Sequence, residues 1–92
     1  MNTSFMLKTD EIKKLKEVEM TYGFSTSAAL RFIIKKTKFP TDFLLNKSVE
    51  NKEYISFSYN DKEIINTIKK ISNIHNISRS DVVGILIMNF KR

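Results

Sequence analysis

The chain has no cysteine and no tryptophan, one histidine, one proline and two glycines in 92 residues. Without cysteine there is no disulfide framework, no thiolate chemistry and no cysteine-ligated zinc. A lone histidine, His75, with no carboxylates arranged around it, is read as structural or solvent-facing, so no metal site, cofactor or catalytic site is expected. Gly-rich phosphate loops, nucleophile elbows and HExxH sequences are all missing, and the expectation is that this is not an enzyme. No apolar run approaches the roughly 18 residues of a spanning helix. Met1 to Lys8 lacks the basic and apolar regions of a secretory leader. A cytoplasmic protein with no membrane partner is therefore expected.

What is present is charge of one sign and a repeated plan. The formal net charge is +6, a balance that favours polyanionic partners. Divided after Asn46, each half holds 8 Lys/Arg and 5 Asp/Glu and so carries +3. The halves also share an order of local patterns. Ser4-Phe5-Met6-Leu7-Lys8 alternates polar and apolar as a strand does. Thr9 and Asp10 are N-cap candidates for a helix in which Ile12, Leu15, Val18 and Tyr22 recur at helical spacing. Gly23 stops it as a left-handed residue would. Ser25 caps a second helix whose apolar face is Ala29, Leu30, Phe32, Ile33 and Ile34.

The second half repeats this. Tyr54 to Tyr59 alternates with strand period. Asn60-x-x-Glu63 has the form of a capping box. Ile64, Ile65, Ile68, Ile71 and Ile74 carry a helix to Asn76, the commonest non-glycine residue type in left-handed turns. Ser78-x-x-Asp81 opens a last helix with Val82, Val83, Ile85, Leu86, Ile87 and Phe90. Gly23-Phe24-Ser25-x-Ser27 aligns on Asn76-Ile77-Ser78-x-Ser80, and Ile12, Leu15 and Val18 then fall on Ile65, Ile68 and Ile71 without a gap. Gly84 interrupts the final helix at a cost of up to about 1 kcal/mol relative to alanine; close helix approach is the reason offered. Three segments follow: a first unit (1–37), a connector (38–53) and a second unit (54–92), forming one compact domain. Units of about 40 residues seldom fold alone, so the two must share a core. Phe39, Phe43, Leu44 and Leu45 make the connector apolar enough to pack on it.

Strand, helix, Gly or Asn turn, then a helix opening with Ser-x-Ser resembles the ribbon-helix-helix family of DNA-binding proteins (Arc, MetJ and CopG), twice over and across nearly the whole chain. The resemblance implies a mostly α fold with short β: a two-stranded antiparallel ribbon over four helices, in the order β-α-α-linker-β-α-α. It implies a ribbon that enters the major groove of double-stranded DNA, where each base pair shows a distinct set of donors and acceptors. With Phe5 and Leu7 in the core, Asn2, Ser4 and Met6 face the bases. In the second strand, burying Ile55, Phe57 and Tyr59 leaves Tyr54, Ser56 and Ser58 for that role. Counting back from the ungapped helix alignment instead matches Ser58 to Phe5. Two arrangements are open: one extra residue between strand and helix, which is favoured, or an aromatic face turned to the groove.

The family also holds DNA phosphates at the N-terminus of its second helix, where free N–H groups suit an anion. The matching residues are Ser25, Thr26 and Ser27, and Ser78, Arg79 and Ser80; the bland alternative is that they only cap. The expected function is transcriptional repression through sequence-specific DNA binding. The alternatives are an accessory protein of plasmid transfer or partition and an antitoxin-type interaction protein, the latter disfavoured because the final helix runs to Phe90-Lys91-Arg92 with no tail. The ribbon is expected to form within one chain as a pseudo-dimer, with room for two chains side by side on DNA.

Overall fold

A strand that runs straight into a helix leaves no loop residue to cap it, and β1 (Asn2–Lys8) joins α1 (Thr9–Tyr22) in that way. Thr9 and Asp10, read above as N-caps, already lie inside the helix; Lys8 stands at the cap. Its backbone N–H donates to the Glu11 carboxylate at 2.8 Å, so the third helical residue reaches back to satisfy the junction. Gly23 at φ 68° ends α1, and after one short turn Ser25 caps α2 (Thr26–Lys36), its hydroxyl accepting from the Ala28 N–H at 3.2 Å. The second half has β2 (Lys52–Ser58), α3 (Glu63–His75) and α4 (Arg79–Asn89). Asn76 at φ 54° takes the place of Gly23, and Ser78 accepts from the Asp81 N–H at 3.0 Å. This computed structural model describes residues 2–42, 52–58 and 62–91. Asn60, Tyr59 and Phe43, Leu44 and Leu45, to which roles were given above, lie outside them. β2 begins at Lys52, two residues before the strand read from the sequence, and Lys62 precedes α3 with no side-chain cap bond.

The architecture is a two-stranded antiparallel sheet on four helices, in the order β-α-α-β-α-α. β1 pairs with β2 in the register Asn2↔Ser58, Ser4↔Ser56, Phe5↔Ile55, Met6↔Tyr54 and Lys8↔Lys52. Phe5, Leu7 and Phe57 point down into a core shared by both halves, with Leu15, Val18, Leu30, Ile33, Ile68, Val82 and Leu86. Each strand also leans on the opposite half: β1 packs on α4 and β2 on α2, while α2 and α4 cross at the centre. Neither half could keep its apolar face dry without the other.

Two hydrogen bonds fix this exchange. Ser80 at the start of α4 accepts from the Met6 N–H of β1 at 2.9 Å, and Ser27 at the start of α2 accepts from the Ser58 N–H of β2 at 2.8 Å. These N–H groups point away from the partner strand, so the hydroxyls cover the exposed edges on which another chain could otherwise pair. The two bonds also resolve the register. Ser27 and Ser80 are 53 residues apart but Met6 and Ser58 only 52, so the strands match at one residue less than the helices. The second half therefore holds one extra residue between strand and helix, Phe5 corresponds to Phe57, and Phe57 is buried while Ser58 is exposed. Polarity, not the helix count, gave the correct face.

Three expectations about packing need amendment. Ile74, part of the apolar pattern of α3, is 65% exposed, because Ile64 and Ile68 define the buried stripe, Ile71 is only partly buried at its edge and Ile74 falls off it. Gly84 serves a side chain more than a helix crossing: a Cβ there would lie 2.1 Å from a Glu11 carboxylate oxygen. Burial pushes the Glu11 carboxyl above its ordinary range, while the Lys8 N–H and the nearby lysine charges pull it back. Gly84→Ala should thus gain helix propensity and lose the Glu11 cap. In a double-mutant cycle, Gly84→Ala alone is expected to change stability little. In a Glu11→Ala background it should stabilise by up to about 1 kcal/mol. Equal effects in both backgrounds, read by urea denaturation, would show that the two residues do not compete for this space.

Phe39, the one apolar connector residue within the described segments, packs at the core margin with its ring 4.8 Å from that of His75. Tyr22, expected on the core stripe of α1, is instead 41% exposed, stacked on Phe24 at 5.5 Å and tilted against Phe32 at 4.9 Å.

Candidate nucleic-acid interface

Alternation along a strand gives a ribbon two faces. With one face in the core, the other presents four cross-strand pairs: Asn2–Ser58, Ser4–Ser56, Met6–Tyr54 and Lys8–Lys52. Asn2, Ser4, Tyr54, Ser56 and Ser58 are exposed and Met6 is partly so. All six residues expected to read bases therefore lie together on one surface. Ser4 faces Ser56 at its centre. Because strand positions match at a spacing of 52, this pair sits on the approximate two-fold axis relating the halves. Tyr54 is 71% exposed.

Lys8 and Lys52 were not singled out in the sequence. Lys8 continues the alternation past Met6, but only the observed register places Lys52 across from it. Like charges directly opposite one another destabilise a ribbon. Glu11 lies near enough to feel both lysines and offsets some of that repulsion.

The two helix starts flank the ribbon on opposite edges. Ser25 and Ser78 cap, and Ser27 and Ser80 hold the strands, so four of the six residues assigned to phosphate have a structural task here. The remaining two differ. The Thr26 hydroxyl donates to the Glu19 carboxylate at 3.0 Å, whereas Arg79, the matching residue on α4, is exposed. Between α1 and β2 runs a shallow groove of about 260 Å³, lined by Ile12, Leu15, Lys16, Glu19, Thr26 and Tyr54 among others. Among the described residues there is no cluster of side chains able to hold a metal ion, and no helix is long and apolar enough to cross a membrane. Comparisons with protein-family models, with curated proteins and with solved structures returned no significant match.

Proposed function

We propose that this chain is a tandem ribbon-helix-helix protein that binds double-stranded DNA sequence-specifically through its ribbon in the major groove, and that it acts as a cytoplasmic transcriptional repressor with no catalytic activity. The observation that carries this reading is the outward ribbon face: polar and adaptable side chains on one side of two strands whose other side is anchored in the core. Strands about 4.8 Å apart with side chains standing off them fit a groove roughly 12 Å wide. Asn2 is suited to a bidentate contact with adenine, Ser4, Ser56 and Ser58 to either donors or acceptors, and Met6 to a thymine methyl. Arg79 and the N–H groups at the starts of α2 and α4 lie at the ribbon's flanks, where backbone phosphates would pass.

Because one chain carries both strands, the reader is complete without a partner, although two chains can still bind side by side. Selection of bound duplexes from a random pool tests the reading directly. A single enriched sequence is expected, bound about 10³-fold or more above bulk DNA. Failure to enrich any sequence would sink it. The position of that sequence, in a promoter or in a transfer or partition origin, then separates a repressor from an accessory protein.

A further inference from the structure

A symmetric dimer of identical units would present the same chemistry at both ends of its ribbon, and this chain does not. At one end stand Met6–Tyr54 and Lys8–Lys52, a partly exposed thioether beside a largely exposed ring, followed by two cations. Ser80, bonded to the Met6 N–H, brings the start of α4 and the exposed Arg79 to the same end. At the other end stand Asn2–Ser58, both small and neutral, beside the start of α2 through the Ser27 to Ser58 bond. There the matching position to Arg79 is Thr26, which donates to Glu19. The largely exposed Tyr54 ring, Met6 and three cations thus stand at one end, with the Glu11 carboxylate near the two lysines, while the other end is small and neutral.

We propose that the chain sits on DNA in one orientation only, with the Met6–Tyr54 pair packed on thymine methyl groups at one end of the site and Lys8, Lys52 and Arg79 holding the phosphates around that end. This rests on the DNA-binding reading above and adds polarity and base preference to it. The thymine C5-methyl is the one apolar group a base pair offers in the major groove. A thioether and a mostly exposed phenol ring side by side are suited to cover it, and the ring supplies apolar area that neither serine pair can. The two facing lysines, offset in part by Glu11, would both be attracted to a phosphate passing that end. Phosphates line both ends of a duplex alike, so it is thymine methyl groups present at one end of the site that fix the orientation: reversed, Met6 and Tyr54 would meet base pairs without them.

The test uses the unaltered protein and the duplex it selects, with each thymine replaced in turn by deoxyuridine, which lacks only the methyl. Affinity measured by fluorescence anisotropy should fall roughly fourfold for each buried methyl lost. The loss should be confined to one end of the site. Met6→Ala, a surface change that leaves the core intact, should remove that sensitivity. Lys52→Gln should lower the slope of log affinity against log salt by about one. Deoxyuridine effects shared equally by both ends, or none at any position on a duplex still bound specifically, would overturn the proposal and leave the DNA-binding reading standing. A protein that selects no duplex would overturn both.

Discussion

Phe57→Ala is expected to cost about 3–5 kcal/mol of stability, the usual loss for emptying a buried phenylalanine site. Domains of this kind are stable by only about 5–15 kcal/mol, so the variant should be partly unfolded or lose its ribbon at ambient temperature. Phe57 is wholly buried beneath β2, with its ring centroid 6.3 Å from that of Phe5 on β1. The pair closes the top of the core, where with Leu7 and the two serine bonds it holds the strands down, and an isolated two-stranded ribbon is marginal in water. Tyr54→Ala removes a side chain of similar size from the same strand, yet Tyr54 is 71% exposed on the other face. That change should stay within about 0.5 kcal/mol. Urea denaturation of both variants, followed by circular dichroism, measures the difference. A larger loss for Tyr54→Ala than for Phe57→Ala would mean that β2 is turned over, with Phe57 to solvent and the proposed reading face in the core.

The features legible in the sequence were those set by local rules. Gly23 and Asn76 take left-handed turns because those residues tolerate positive φ, and Ser25 and Ser78 cap because a short hydroxyl reaches the third N–H of the next turn. The faces of β1 followed from two apolar residues at alternate positions, Phe5 and Leu7. What could not be read was fixed by tertiary partners. Thr9 and Asp10 look like caps, but a strand entering the helix without a loop moves the start and gives the junction to Glu11. Gly84 in α4 is explained only by that same Glu11 side chain, reaching it from α1. Lys52 acquires its place opposite Lys8 from the ribbon register, which no local pattern specifies. The strand offset in the second half was visible only as a conflict between polarity and spacing. The burial of Phe57 and the two serine bonds to the strand edges decide it.

The affinity for DNA is expected to fall roughly a hundredfold between about 50 and 200 mM salt, if the chain makes about four phosphate contacts. Each phosphate neutralised by Lys or Arg releases condensed counterions, so log affinity declines linearly with log salt at a slope near −0.9 per contact. The cations on hand are Lys8 and Lys52 at one ribbon end, Arg79 at the start of α4, and Lys16 beside Tyr54 in the groove between α1 and β2. A net charge of +6 also draws the polyanion from a distance, but that long-range part is screened once the Debye length shrinks to about 8–10 Å. The contact term then dominates, and its slope counts contacts. The base contacts proposed for Asn2, Ser4 and Met6 would involve no counterion, so specific binding should lose affinity with salt while the preferred sequence stays the same. Anisotropy titrations of the selected duplex at several salt concentrations give the slope. A flat response would remove the phosphate grip from the ribbon flanks. A steep slope with equal affinity for every duplex would leave a basic surface that binds DNA without reading it.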